Sequence, residues 1–476
     1  MSNTSQELAK QGLIYGLRDK PPFGEALFAA VQHLMAIVVS IMTPALIICS
    51  VMEINLADTS YIVSMSLLVS GVATFIQVRK IGFVGSGLLS IQGTSFAFIG
   101  VLLAVGKGHV AAGNSPESAL PLLFGLCFVG SFIEMICSRF IKPLRVLITP
   151  LVSGVVVTLI GMTLISSAVK SCAGGQPLMD SFFKGTVGAE VIRNNIFLAI
   201  FVIVTILVLN SMSNRWVRMS SIFVGLVAGY GVAAYLGQVD LGALKETSWL
   251  VVPVPFKYGF AFDISVFFGI ALLYLVTLVE TIGDITATSL VSGEPLEGEV
   301  YLERISGGVF ADGFNSLLAA VFNTFPNTSF SQNNGIIQLT GVASRHVGYF
   351  VAAILTILGL IPYFSGLAAL IPAPVLGGAT FLMFGTVAAS GIRIIATQQI
   401  DRRGTLILAV SLATGLGVSF EPGLIKVMPQ WMHGMLSSGI IAGGLTAIIL
   451  NFALPGSPSE YISEKPADVS MRPDTQ

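Results

Sequence analysis

Apolar residues fall into long runs along this chain, and short polar stretches separate the runs. A run of about 20 mostly apolar residues is long enough to cross the hydrocarbon core of a membrane as a helix. The pattern therefore predicts an all-α polytopic membrane protein with about 14 transmembrane segments. Their approximate limits are 27–47, 60–78, 84–105, 118–138, 146–166, 195–210, 219–237, 264–283, 305–323, 328–340, 348–370, 375–397, 404–420 and 434–454.

The basic residues predict how these segments are oriented. Short loops on the cytoplasmic side of a membrane carry an excess of Lys and Arg. If the N-terminus is cytoplasmic, most of the 24 Lys and Arg residues lie on the cytoplasmic side. An even number of spans then places both termini in the cytoplasm.

Two short similarities indicate an internal repeat. Gly93–Phe96 in the third span resembles Asn327–Phe330 in the tenth, and Pro150–Val155 in the fifth resembles Pro374–Ala379 in the twelfth. Each pair is separated by about half the chain, so each half holds seven spans and the halves are inverted. Inverted repeats are typical of secondary transporters. Chance similarity between short strings rich in Gly, Thr and Ser is the alternative.

Spans 3 and 10 are also interrupted. Gly85, Gly87 and Gly93 lie in the first, and Pro326 and Gly335 lie in the second. Broken segments at matching positions of two halves indicate a binding site near the membrane midplane. We expect short extended strands there, followed by half-helices whose N-termini direct their positive dipole ends at a polar or anionic ligand.

The stretch Gln332–Gly341 places amide side chains in a sequence that is otherwise built for lipid. An unsatisfied polar group in hydrocarbon costs several kcal/mol, so this stretch is expected to line a cavity. A side-chain amide offers both donors and an acceptor, which suits a planar ring with alternating NH and C=O groups.

Ionisable residues inside the spans are few. Glu280 lies in an apolar run, where a charge at a helix centre costs at least about 2.5–3.5 kcal/mol, so we expect a functional role for it. Asp284 follows one turn later on the same face, and Asp312 is the third candidate. For each of these three residues, the alternative is a neutral carboxyl that is hydrogen-bonded and serves a structural role. For Glu134 in the fourth span, packing or snorkelling is favoured over function. His33 in the first span could relay protons, bind a carboxyl or be a satisfied core histidine.

The composition limits the other functional classes. The chain is 54% hydrophobic and 10% charged, and its formal net charge is −1, so no nucleic-acid-binding surface is indicated. The four cysteines lack metal-ligand spacing. Neither a phosphate-binding loop nor a nucleophile elbow occurs, so we predict no enzyme activity, no metal and no cofactor.

Several of these motifs, in this order along the chain, resemble those of the nucleobase–ascorbate transporter family within the nucleobase–cation symporters. The resemblance runs from about Pro21 to Pro455. The motifs that carry it are Gln32–His33, Gln92–Phe96, Glu280–Asp284, Gly307–Asp312 and Gln332–Gly341.

The resemblance implies 14 spans in two inverted repeats and a homodimer in the bacterial inner membrane. It also implies a core domain of spans 1–4 and 8–11 and a gate domain of spans 5–7 and 12–14. The corresponding residues are 1–24 for a cytoplasmic lead-in, 25–140 for core, 141–240 for gate, 260–372 for core, 373–455 for gate and 456–476 for a cytoplasmic tail.

The same resemblance implies roles for single residues. Glu280 and Gln332, with Asn333 beside it, would bind a purine, and the backbone near Ser95 and Phe96 would complete the site. Asp312, with Asp284 and His33, would support coupling to protons.

The resemblance also narrows the substrate. Uracil-type members carry a carboxylate at the Gln332 position and a histidine at the Asp284 position, and this chain has neither. The lead-in Leu13–Pro22 resembles that of bacterial xanthine permeases, some of which carry Asn at the Ser95 position. We therefore expect proton-coupled import of xanthine, with urate as the alternative. Two other classes are an anion transporter or exchanger of related fold and a membrane-embedded enzyme. The first should carry a basic residue at the broken helices, and the second a nucleophile or a set of metal ligands. The sequence shows neither feature.

Overall fold

The computed structural model describes residues 13–141, 149–214, 217–218, 220–239, 242, 250–330, 332–396, 398, 400–421, 423, 427–428 and 438–455. The expected tail 456–476 and residues 1–12 of the expected lead-in lie outside the described residues. Helices dominate the described part, as expected where each backbone group in hydrocarbon needs a partner within its own segment.

The helices before residue 240 are α1 (Phe23–Val51), α2 (Leu56–Arg79), α3 (Ile99–Ala111), α4 (Leu120–Cys137), α5 (Pro150–Cys172), α6 (Gln176–Phe183), α7 (Ala189–Ser211) and α8 (Ser221–Tyr235). Those after residue 260 are α9 (Ile264–Val291), α10 (Gly298–Val321), α11 (Gln332–Thr340), α12 (Arg345–Leu360), α13 (Pro362–Ala369), α14 (Ala373–Ala396), α15 (Arg402–Phe420) and α16 (Gly439–Ala453). Single 3₁₀ turns occupy Glu117–Ala119 and Ser138–Phe140.

Each of the 14 segments that hydropathy predicts overlaps a described helix. Eight helices in the described ranges are long and apolar enough to cross a membrane, and a bent pair raises this number to nine. The prediction of an all-helical membrane protein is therefore confirmed. The number of 14 crossings and their inverted arrangement stay predictions.

One expected span is divided by a bend. The segment 348–370 forms α12 and α13, whose axes differ by 76°. Pro362, the first residue of α13, has no backbone N–H to continue the helical ladder, and this explains the break.

Two three-residue strands occur within the two interrupted segments. The strand β1 (Gln92–Thr94) pairs antiparallel with β2 (Asn327–Ser329), and Gly93 lies opposite Thr328. The pairing continues beyond both strands, because Ser95 N donates to Pro326 O at 2.8 Å and Phe330 N donates to Ile91 O at 2.9 Å. The backbone of two segments far apart in the chain is thereby satisfied inside the protein.

Close helix packing relies on glycine. A Cβ on Gly71 of α2 would lie 2.6 Å from Thr356 N and 2.7 Å from Ala352 O of α12. A Cβ on Gly154 of α5 would lie 3.0 Å from Gly391 O of α14. Small residues let backbones approach closely where lipid gives no hydrophobic drive for association. These contacts hold α2 against α12 and α5 against α14.

The chain before α1 packs along the loop that follows α11. Ile14 N donates to Gly341 O at 2.7 Å, Ala343 N donates to Tyr15 O at 2.9 Å, and Arg345 N donates to Leu17 O at 3.1 Å. This backbone pairing fixes the C-terminal end of α11.

Candidate functional site

The β1–β2 pair determines where the two short helices α3 and α11 begin. Because the strands are antiparallel, the chain leaves them at opposite ends, towards α3 at one end and α11 at the other. Gly93 makes the pairing possible, since a Cβ there would lie 2.5 Å from the Phe330 ring. Two helix N-termini therefore lie beside one small sheet, where their dipoles favour a polar or anionic group.

Asp312 of α10 links this sheet to α9. Its fully buried carboxylate accepts from the Thr281 hydroxyl at 2.5 Å, Ser329 N at 3.2 Å, the Ser329 hydroxyl at 3.3 Å and the Thr328 hydroxyl at 3.4 Å. Four converging donors suit an ionised carboxylate, because hydrogen bonds to the charged form stabilise it. Asp312 thus joins α9, α10 and β2.

Two amide side chains extend this network. Gln92 Nε2 donates to the Ser329 hydroxyl at 2.8 Å, and Asn315 Nδ2 lies 3.5 Å from Gln92 Oε1. The sequence analysis did not choose Gln92, Thr281 or Asn315 as site residues, although Gln92 and Thr281 lie in motifs that it singled out. Their spacing to a carboxylate in another span carries no signal in a single sequence.

Glu280 and Asp284 have different surroundings, although they share a face of α9. Both are half-buried. In the described part of the chain, Glu280 Oε2 is buried without a hydrogen-bond partner. The Thr288 hydroxyl lies 2.7 Å from both Asp284 O and Asn334 Oδ1, which ties α9 to α11 near Asp284. The Thr288 bond reaches the main-chain carbonyl of Asp284, whereas Glu280 offers a buried carboxylate oxygen that no described residue uses.

The two amides at the start of α11 differ in availability. Gln332 is exposed, whereas Asn333 is fully buried. The Asn333 amide donates to the Leu89 carbonyl, and the Asn333 side chain also faces the buried ring of His33. Neither His33 ring nitrogen makes a hydrogen bond of standard geometry within the described residues. The structure thus places His33 beside an amide, and it places Gln332 where a ligand can reach it.

Ser95 and Phe96 lie between β1 and α3, and both are buried. The Ser95 N–H is used in the extended strand pairing, and its hydroxyl accepts from Ala97 N at 3.3 Å. The Phe96 ring packs edge-on against Phe384 of α14, with 5.8 Å between ring centroids. Phe384, which sequence reasoning missed, connects the α3 region to α14.

Glu134 of α4 does not snorkel. Its exposed fraction is 1%, and its Oε1 has no hydrogen-bond partner among the described residues. Glu134 lies close enough to Asp312 and Glu280 for their charges to act on it. The sequence around Glu134 does not indicate which helices face it, because those helices lie in distant parts of the chain.

The family model described as Permease family, Xan_ur_permease, matches residues 24–424. The chain belongs to the nucleobase–ascorbate transporter family. It is similar to the xanthine permease XanP of Escherichia coli strain K12, with 48% identity over 93% of this chain and 95% of XanP. It is also similar to the xanthine permease XanQ of the same strain, with 43% identity over 94% of this chain and 95% of XanQ. Membership of this family indicates a transporter and not an enzyme.

The fold of this family member is also similar to a solved structure. The transmembrane domain of the cyanobacterial bicarbonate transporter BicA aligns with a TM-score of 0.57 over 91% of this chain and 98% of that domain. The two sequences are 16% identical, so the likeness concerns the fold alone. It supports the fold of a multi-pass membrane protein.

Proposed function

We propose that this chain is a proton-coupled symporter that imports xanthine across the bacterial inner membrane. The observation that carries the proposal is the presence of an unused carboxylate oxygen and an exposed amide on two neighbouring helices beside the β1–β2 sheet. Glu280 Oε2 is buried and unpartnered in the described chain, and Gln332 is exposed at the start of the neighbouring α11. The names and high identity of the two Escherichia coli relatives support xanthine as substrate.

The ring of xanthine suits these groups. The Glu280 carboxylate would accept a hydrogen bond from a purine N–H, and the Gln332 amide would pair with an adjacent N–H and C=O edge. The Ser95 N–H already donates to Pro326 O, so we propose that the backbone of Phe96 makes the ligand contact from that segment. Asn333 and His33 would hold the start of α11 in place behind Gln332.

The Asp312 network would link binding to proton transport. Asp312 contacts both α9, through Thr281, and β2, through Ser329, so a change at either element alters its hydrogen bonds. Asp284 would support this coupling from the α9–α11 contact. Protonation and xanthine binding would stabilise the same loaded state, and movement of a core domain against a gate domain would then expose the site to the other side.

The remaining architecture is part of the same proposal. The core domain would comprise 25–140 and 260–372, and the gate domain 141–240 and 373–455, in two inverted repeats of seven spans with both termini cytoplasmic. The Phe96–Phe384 contact would then lie at the boundary between core and gate. We further propose that two copies form a homodimer in the lipid bilayer.

Competition for uptake tests the proposed substrate. Cells that lack their own purine permeases would express the chain, and uptake of labelled xanthine would be measured with excess urate, uracil or sulfate. We expect xanthine uptake that an uncoupler abolishes and that uracil and sulfate leave unchanged. Stronger competition by urate than by unlabelled xanthine would identify a urate permease, and sulfate uptake without xanthine uptake would overturn the proposal.

A further inference from the structure

Glu134 on α4 is an ionisable group for which the proposed binding of xanthine has no use. Its side chain is 1% exposed, and its Oε1 has no hydrogen-bond partner among the described residues. A buried carboxylate without a partner is strongly unfavourable, so such a group is retained as a neutral acid unless it has a task that needs its charge.

Contacts with α9 fix the height of Glu134 along that helix. Ala261 N, just before α9, donates to Pro121 O at 3.1 Å, and the Tyr274 hydroxyl donates to Cys127 O at 2.8 Å. Pro121 and Cys127 belong to α4, so α4 and α9 run in the same direction. The Tyr274 ring covers Gly130, and Glu134 follows one turn later on the same face of α4. Glu134 thus faces α9 about one turn beyond Tyr274, near the height of Glu280.

Contacts with α10 give the same height from a second direction. The Ser306 hydroxyl donates to Ser138 O at 2.8 Å, whereas Gly313 packs against Ser131 and Met135, so α4 and α10 are antiparallel. A Cβ on Gly313 would lie 2.9 Å from Met135 N, and the two backbones are therefore in close contact. Asp312, the residue before Gly313, lies at the height of Glu134.

Among the described residues, charged and titratable groups on three helices act on Glu134. They are Glu280 and Tyr274 of α9 and Asp312 of α10, with Cys137 on α4 itself. Asp312 has four donors and is satisfied as an anion, and Glu280 has a free acceptor that suits a purine N–H. Within the described residues, Glu134 Oε1 has neither a donor nor a proposed ligand.

We infer that Glu134 is the proton-carrying carboxyl of the transport cycle, an inference that rests on the proposed proton–xanthine symport. In the outward-open state, a Glu134 carboxylate oxygen takes a proton from water and forms an O–H bond. This neutralises Glu134, so one negative charge next to Asp312 and Glu280 is lost. In the inward-open state, the same O–H bond breaks and the proton returns to water on the cytoplasmic side. Glu280 is thereby left free to bind xanthine.

The test uses the purified full chain in proteoliposomes, with the membrane potential clamped. A symporter that moves one proton with each xanthine accumulates substrate about tenfold per unit of pH difference. Glu134→Gln keeps the volume and cannot release a proton. We expect its xanthine affinity and xanthine counterflow to stay within about threefold of wild type, while accumulation driven by the pH difference disappears.

A matched control is Glu303→Gln. Glu303 is 69% exposed and pairs with Lys80 at 3.1 Å, and a surface pair of this kind contributes little. It should accumulate xanthine as wild type does. Normal accumulation by Glu134→Gln, or loss of xanthine binding and counterflow together with accumulation, would overturn the inference. Absence of pH-driven xanthine accumulation in wild type would instead overturn the proposed function.

A second measurement needs no variant, should Glu134→Gln fail to fold. Hydrophobic carbodiimides react with protonated carboxyls in apolar surroundings, and peptide mapping locates the adduct. We expect a label on Glu134 of the wild-type protein that decreases as the pH rises and whose formation stops accumulation. Labelling confined to other carboxyls would overturn the assignment.

Discussion

Replacing Asp312 with asparagine tests coupling separately from binding, and the hydrogen bonds of Asp312 show what the change does. Three donors contact Oδ2, and the two shorter bonds come from Thr281 Oγ1, at 2.5 Å, and Ser329 N, at 3.2 Å. An asparagine oxygen at that position keeps both bonds. Its NH₂ group then faces the Ser329 hydroxyl, which can rotate to accept. The variant should therefore fold.

The expected cost follows from these two bonds. A hydrogen bond to a charged group contributes about 1.5–3 kcal/mol and a neutral one about 0.5–1.5 kcal/mol, so each bond weakens by about 1 kcal/mol. The loss of about 2 kcal/mol is offset in part because a charge is no longer buried. Xanthine binding should survive. A neutral amide removes the negative charge that Asp312 presents to the neighbouring carboxyls, and accumulation driven by a pH difference should fail.

Thermal unfolding of the purified variant over a series of xanthine concentrations measures binding. A ligand at about 100 times its Kd stabilises the folded state by about 2.7 kcal/mol, which is readily detected. Thr281→Val is the matched control, because it removes the 2.5 Å donor and keeps the carboxyl. A folded Asp312→Asn protein without a xanthine-dependent shift would place Asp312 in contact with the ligand. Normal accumulation would refute its role in coupling.

Four further predictions concern the site and its support. Glu280→Gln should reach the membrane and lose active accumulation; accumulation that is normal and still sensitive to an uncoupler would exclude Glu280 from both binding and coupling. Gln332→Glu should weaken xanthine uptake about tenfold or more, since an unpaired polar contact costs about 1–3 kcal/mol; unchanged kinetics and unchanged purine competition would remove Gln332 from the site. Ser95→Asn enlarges a side chain that is 1% exposed and should reduce inhibition of xanthine uptake by urate; equal inhibition constants at equal expression would place C8 of the purine elsewhere. Gly313→Ala should destabilise the protein by about 1–3 kcal/mol in thermal unfolding because its Cβ would lie 2.9 Å from Met135 N, whereas Gly385→Ala, with open space around it, should not; equal stability would contradict the close contact between α4 and α10.

The helices could be predicted from the sequence because hydropathy is a local property. Segment 60–78 is observed as Leu56–Arg79, and segment 264–283 as Ile264–Val291. The bend at Pro362 could not be located, because proline is also tolerated within membrane helices, as Pro44 is within α1. Whether a proline ends a helix depends on partners that only the folded protein supplies.

The candidate site was predictable in part for the same reason. Glu280, Asp312 and Gln332 were chosen because a polar residue in an apolar span is unusual, and the structure places them on adjacent elements. Glu134 satisfies the same criterion, yet packing or snorkelling was favoured for it. The role inferred for Glu134 depends on α9 and α10, which contact α4 from distant parts of the chain. Contacts of this kind leave no local pattern.

The pairing of β1 with β2 also constrains how the protein is made. Gln92 and Ser329 are 237 residues apart, and ribosomes add about 5–20 residues per second, so β1 waits on the order of tens of seconds for its partner. During that interval its peptide groups have no strand beside them, and hydrocarbon offers no substitute. The first half of the chain must therefore be kept in contact with water or with the insertion machinery until the second half emerges. Nascent chains that stop before residue 327 should be targets for membrane proteases.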